Sequence, residues 1–354
     1  MYRLLAGLVA IGIMGTAGAA GLDVSLSAPV AQSDYGSGKV HYALTNHTDR
    51  TLHVLRWQTP LDGLSNELFQ VTKNGEPVAY DGVLAMRTEP TASDLVELAP
   101  GATLAAEVDL TAYYDMKAGG QYEVRYLRDA RDVIAEVGQT AKGGLDAGYL
   151  DFDRPAATVI DVDTAVDAFD SPAQKAGPVL LAATNSYESC STTQKNAMPA
   201  ARTQATTYAN TSRNYLNAGS TGTRYTWWFG TYNTSRYTTV RSNFTRIYNA
   251  LSSQPFVFNC TCPAAPTAIA YVYPNQPYRI HLCSSYWSYP NAGAPYSKGS
   301  ILVHEVSHFD VVGNTDDITY GTTNSHNLAV SNPASAARNA DNYHYFANNA
   351  NNGN

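Results

Sequence analysis

Residues 304–308 read HEVSH, two histidines one helical turn apart with a carboxylate beside the first. On a helix that spacing turns both imidazoles to one side, where they can share a metal ion next to Glu305. Zinc held in this way keeps three protein ligands and one open position, and it lowers the pKa of a water there to about 7. The chemistry implied is hydrolysis at a polarised carbonyl, with Glu305 first taking a proton and then giving it up. A third ligand must come from elsewhere. The arrangement HExxHxxGxxH is excluded, because its glycine and third histidine would fall on Val311 and Asn314. A downstream glutamate is excluded, because none follows Glu305. Asp310, Asp316, Asp317, His326, Asp341 and His344 remain. Asp310 lies about 240° from His304 round a continuing helix, so it faces away. Asp316 and Asp317 follow Gly313, the expected helix stop, where the chain can turn back across the histidines. Local geometry does not choose between these two.

The elements that must position these residues follow from the patterning. SILVHEVSHFDVV is apolar enough for a buried helix. Three short apolar stretches precede it, FVFNCTC, AIAYVYP and YRIHLC, which read as strands, and a Tyr/Pro/Gly-rich loop runs from Ser284 to Gly299. Residues 191–216 are expected to be helical despite Pro199. Val240, Phe244, Ile247, Tyr248 and Leu251 line one face of another helix. PASAARNADNYHYFANN reads as a last helical segment, and residues 347–354 as a frayed tail. This second half is an α+β domain. From Leu22 to Leu127 the texture is short and alternating, in stretches such as KVHYALTN and QYEVRYL, with tight turns at Asn74–Gly75 and Pro100–Gly101. An all-β, immunoglobulin-like sandwich is expected there.

Residues 1–20 carry an early Arg3, a short apolar run and Ala17-Gly18-Ala19, the pattern of a signal peptide for export. No later stretch is long and apolar enough to span a membrane. The four cysteines all lie in the second half, and in an exported chain they read as two disulfides. The net charge of -7 divides unevenly. Residues 21–186 hold 24 acidic against 12 basic side chains, while residues 187–354 hold 6 against 10. The basic residues are scattered, with no run of the kind that binds nucleic acid. The acidic first part and basic second part are electrostatically matched.

HEVSH followed by NTDDITYG resembles the deuterolysin, or aspzincin, metallopeptidases, whose pattern is HExxH followed by GTxDxxYG. Asn314 replaces the first glycine; Thr315, Asp317, Tyr320 and Gly321 match. The resemblance extends through RYTWWFG, CTC, AYVYPN and NADNYHYF, and it is strongest to the peptidyl-Lys metalloendopeptidases. It implies a zincin-like catalytic domain holding zinc, one ion per chain, on His304, His308 and Asp317. It implies Glu305 as the general base and Tyr320 as the hydrogen-bond donor to the oxyanion. It also implies disulfides Cys190–Cys260 and Cys262–Cys283, and a mature chain that starts shortly before Cys190. The expected organisation is a signal peptide (1–20), a β-sandwich pro-domain (21–127), a linker and processing region (128–183) and a metallopeptidase domain (184–354). The expected partners are protein or peptide substrates and the chain's own pro-domain, for a secreted monomer that binds neither nucleic acid nor membrane.

Lysine-specific relatives receive the leaving-side lysine with an aspartate and, three residues later, a glutamate. Here Asp341 is present and His344 stands in the glutamate's place. A looser preference for Lys or Arg is therefore expected, weakening near pH 6 if His344 gains a proton. The competing reading is an inactive secreted zinc-binding adhesion or scaffold protein. Glu305 argues against it, since a structural zinc site has no need of that carboxylate.

Overall fold

The computed structural model describes residues 21–29, 34–135, 152–153, 157–163 and 184–349. The expected signal peptide, most of the expected processing region and the end of the tail lie outside these residues.

Alternation decides the first part. Lys39–Asn46 buries every second residue, among them Val40, Tyr42 and Leu44, as a strand with one face on a core must. It lies antiparallel between Leu22–Ser27 and Thr103–Asp109. In a second sheet Gly120–Tyr126 lies between Phe69–Lys73 and Thr158–Val162. The two sheets meet through their inward faces, with the rings of Tyr42 and Tyr126 5.2 Å apart. Asn74 and Gly75 take φ of 54° and 82°, the left-handed pair that a two-residue hairpin requires. Pro100–Gly101 also turns the chain, but between strands with different partners: Leu95–Leu98 pairs with Leu52–Leu55, and Thr103–Asp109 with Lys39–Asn46. The expected boundary at 127 falls inside this structure, because Thr158–Val162 completes the second sheet.

The second part is helices on a mixed sheet. Ser186–Glu188, Val257–Asn259 and Arg279–Leu282 run parallel, and Ala270–Val272 is antiparallel to the last of them. The fifth strand comes from the other half of the chain. Leu84–Met86 pairs antiparallel with Ala270–Val272, Met86 opposite Ala270 and Ala85 opposite Tyr271. No strand was expected at 84–86.

Helix Thr192–Asn217 starts at a Ser191–Gln194 capping box and carries Pro199 in its interior. Helix Thr234–Ser253 buries Val240, Phe244, Ile247 and Leu251 as its apolar period requires, each contributing about 1.5–3 kcal/mol. The metal-binding candidates sit on Lys298–His308, which packs against Thr192–Asn217, Thr234–Ser253 and Ala340–Asn348. The last helical segment is broken into Pro333–Ala336 and Ala340–Asn348. Helices Thr223–Phe229 and Thr322–Ser331 were not expected from the pattern. Disulfides join Cys190 to Cys260 and Cys262 to Cys283, with Cα separations of 4.9 and 5.1 Å. The longer loop spans 70 residues, worth roughly 4 kcal/mol in unfolded-chain entropy. No helix among the described residues is long and apolar enough to cross a membrane.

Candidate metal centre and active site

Helix Lys298–His308 is buried along its whole length and begins at a capping box in which Ser297 and Ser300 satisfy each other's backbone amides. It ends at His308, five residues before the expected stop. Phe309 turns to extended backbone with ψ 134°, and Thr315 N–H donates to the Ser307 carbonyl at 3.2 Å. The left-handed residue is Asn314, with φ 47°, not Gly313. Gly313 is needed for space instead, since a Cβ there would lie 2.4 Å from the Ser307 carbonyl oxygen. This tight return lays Thr315–Asp317 directly over the end of the helix.

The return separates the two aspartates that the sequence left open. Asp317 Oδ1 stands 3.1 Å from His304 Nε2 and 3.5 Å from His308 Nε2, with all three side chains fully buried. A tetrahedral zinc with bonds of 2.0–2.1 Å needs donor atoms about 3.3 Å apart. The observed separations fit. Asp316 faces the other way: its Oδ2 pairs with Arg128 at 3.1 Å, and its Oδ1 accepts from the Asp317 amide. Asp310 is exposed, beyond the helix end. His326 stacks on Trp227 and is bonded to that residue's carbonyl.

Each histidine is oriented through its other nitrogen. His308 Nδ1–H donates to the Thr315 carbonyl at 2.8 Å, which leaves Nε2 as the free lone pair. His304 Nδ1 lies 3.0 Å from Asp341 Oδ1. Among buried atoms with no hydrogen-bond partner are Nε2 of both histidines, both carboxylate oxygens of Asp317 and both of Glu305. Buried polar atoms are almost always satisfied, so a convergent set left without partners fits a cation-binding centre.

The electrostatics agree. Burial acts to lower the His304 pKa, but Asp317 and Asp341 overturn this and raise it to about 10. Two carboxylates thus hold positive charge strongly at this point. Burial holds the Glu305 carboxyl well above the usual carboxylate range, which makes it a strong proton acceptor.

The structure gives Asp341 and His344 surroundings other than an open pocket. Asp341 Oδ2 accepts from the Gly321 amide at 2.9 Å, and Oδ1 lies 3.0 Å from His304 Nδ1. His344 Nε2–H donates to the Pro295 carbonyl at 2.7 Å. Burial brings the His344 pKa down to about 4. Asp341 and the Pro295 carbonyl favour a proton on this ring, but burial outweighs both, so the charge change expected near pH 6 is moved to lower pH. Tyr320 is buried, and its hydroxyl donates to the Ala85 carbonyl at 2.7 Å. That partner, the orienting role of Asp341 and the clamp of Arg128 had no local signal in the sequence.

A family profile described as lysine-specific metallo-endopeptidase, Aspzincin, matches residues 214–348. An "extracellular protease" of Aeromonas hydrophila is 37% identical over 98% of this chain and 96% of its own length. A "peptidyl-Lys metalloendopeptidase" of Grifola frondosa is 32% identical over 93% of each. Another, from Pleurotus ostreatus, is 46% identical over 46% of this chain and 96% of its own. A solved zinc peptidase from Grifola frondosa, 40% identical, covers 45% of this chain and 97% of that one, with a TM-score of 0.43. Near-full-length likeness at these identities, together with the HEVSH and NTDDITYG stretches, makes the chain a member of the aspzincin family of metalloendopeptidases.

Proposed function

We propose that this chain is the latent form of an exported zinc endopeptidase, binding one zinc, that prefers Lys or Arg on the leaving-group side of the bond it cuts. The observation that carries the reading is the convergence of His304, His308 and Asp317, whose buried ligand atoms all lie within 4.8 Å of one another, with both oxygens of the adjacent Glu305 buried and without hydrogen-bond partners. Zinc on the first three would supply a Lewis acid for the scissile carbonyl and acidify a water. Glu305 takes the proton from the attacking water and passes it to the leaving amine. Tyr320 donates its hydroxyl hydrogen bond to the carbonyl oxygen as negative charge develops, a contribution of about 10²–10³ in rate for such donors.

Export is supported by the first twenty residues and by the printed name of the Aeromonas relative. The preference for a cationic residue is supported by the names of the fungal relatives and by Asp341, the carboxylate at the family's position. Because Asp341 already serves His304 and the Gly321 amide, the preference should be looser than a dedicated carboxylate pair would give. His344 adds no charge to it. The N-terminal sheets, ordered Phe152–Asp153, Leu22–Ser27, Lys39–Asn46, Thr103–Asp109 and Thr158–Val162, Gly120–Tyr126, Phe69–Lys73, Glu76–Pro77, support the immunoglobulin-like sandwich, and the acidic excess of residues 21–186 against the basic second part supports its role as a pro-domain. A monomer with peptide substrates is the simplest assembly for this arrangement.

Digestion of a proteome-derived peptide library by the secreted, processed protein tests the reading. Cleavage abolished by a chelator and restored by zinc, enriched for Lys and Arg after the cut, is expected. Cleavage indifferent to chelation would end the metal reading, and selection for apolar residues would end the proposed preference.

A further inference from the structure

The strand Leu84–Met86 occupies a telling place. It extends the catalytic sheet at the edge of Ala270–Val272 and also contacts the histidine helix. An exposed sheet edge beside a peptidase centre is where an extended peptide adds by strand pairing. The carbonyl of Ala85 accepts the hydroxyl hydrogen bond of Tyr320 at 2.7 Å. Leu84 and Met86 share the opposite face of the strand from Ala85, and Met86 is completely buried.

We infer that residues 84–86 are a built-in substrate mimic. The Ala85 carbonyl takes the place of the scissile carbonyl, Met86 fills the first pocket on the leaving side, and the chain is thereby held inactive. This inference rests on the peptidase reading and adds the register in which the cleft is filled.

The register also explains why the segment survives. The residue in the leaving-side pocket is Met86, which carries no charge. The cation comes one position later and is held outside: Arg87 reaches Thr267 Oγ1 at 3.0 Å and Ser65 Oγ at 3.2 Å, and its guanidinium lies 5.1 Å from the Trp57 ring. Two residues on, Glu89 Oε1 accepts from the Thr322 amide at 3.1 Å and from its hydroxyl at 3.2 Å. The approach is close enough that Gly321, at φ +92°, has no space for a side chain, since a Cβ would lie 2.2 Å from Glu89 Cγ. The segment is therefore pinned through Arg87 and Glu89 as well as at Tyr320, with the one cation of this stretch out of register.

Moving the charge by one residue tests this. In the full-length zinc-loaded chain, Met86→Lys should create a new cut after Ala85. Water adds across that peptide bond, leaving a carboxylate on Ala85 and a free amine on the residue that follows. Intact mass and N-terminal sequencing should find the cut in Met86→Lys, and not in wild type, in Met86→Leu or in Met86→Lys combined with Glu305→Gln. A second arm uses an exposed change that leaves the core intact. Glu89→Ala should raise hydrolysis of a reporter peptide by the uncut chain severalfold, through kcat/KM. A folded Met86→Lys chain that stays whole after Ala85, or a Glu89→Ala chain with unaltered hydrolysis, would overturn the mimic. If limited proteolysis removes the N-terminal region and the remaining zinc-loaded domain cuts no peptide, the peptidase reading itself fails, and this inference with it.

Discussion

Arg128 and Glu305 are both ionisable side chains shut away from solvent, and the molecule treats them in opposite ways. Arg128, from the N-terminal region, is satisfied throughout. It donates to Gln58 Oε1, Asp316 Oδ2 and the carbonyls of Glu67 and Asp317 at 2.7–3.3 Å. Glu305, one region away, has neither oxygen hydrogen-bonded. A buried ionisable group with a full set of partners holds structure together, whereas one left without them is costly to ionise and is kept for chemistry. The two meet on one loop. Asp316 gives its side chain to Arg128, Asp317 gives its own to the histidines, and Gln58 and Asn66 bond the carbonyls of Ile318 and Asp317 from outside.

The largest expected effect lies on the unsatisfied side. Glu305→Gln should lower kcat of the processed enzyme about 10²–10⁴-fold, the usual contribution of a general base, with zinc content by elemental analysis unchanged. Turnover within tenfold of wild type would place the base elsewhere. The two aspartates then separate the regions. Asp317→Ala should release the zinc, while Asp316→Ala should keep it and leave Arg128 buried without its ion partner. Such a loss costs about 3–5 kcal/mol, read as reduced stability of the full-length chain in denaturant. Loss of metal from Asp316→Ala instead would reverse the assignment.

A smaller effect should appear with pH at the same interface. Burial and the neighbouring Asp316 push the Glu67 carboxyl up to about 7 from its ordinary 4.5. Its stabilising contribution is then full below about pH 4.5 and is lost as pH rises through about 7. Burial likewise pushes Asp132 up to about 6, with the same sign. The full-length chain should melt at a lower temperature at pH 8 than at pH 6, and Glu67→Gln should narrow that difference without abolishing it. An unchanged difference would remove Glu67 from the account. The smallest change is expected at His344. With its pKa near 4, the cleavage-site profile should be the same at pH 5.5 and pH 8. A Lys and Arg preference that weakens at pH 5.5 would mean this ring is charged after all.

Much of this centre was legible because it is local. His304, Glu305 and His308 are placed by one helix, whose period alone brings two imidazoles to one side. The apolar faces of Thr234–Ser253 and Lys39–Asn46 were equally readable, since burial of a helix or strand face imposes its own spacing. The early end of the histidine helix was less so. Gly313 looked like a cap by residue type, yet the close packing of the return on Ser307 decided its role.

By itself, then, the sequence determined which residue types stand one turn apart and which faces must be buried, because both depend on neighbours within a few residues. It left Asp316 and Asp317 equivalent. Only the tertiary structure turned one toward the histidines and the other toward Arg128, 188 residues distant in the chain. The strand at 84–86 shows the same limit more sharply. Three residues carry no usable period, and what makes them a strand is an edge at Ala270–Val272 that the sequence places far away. Pairing across such a distance depends on how remote parts of the chain pack together, and no local pattern records that.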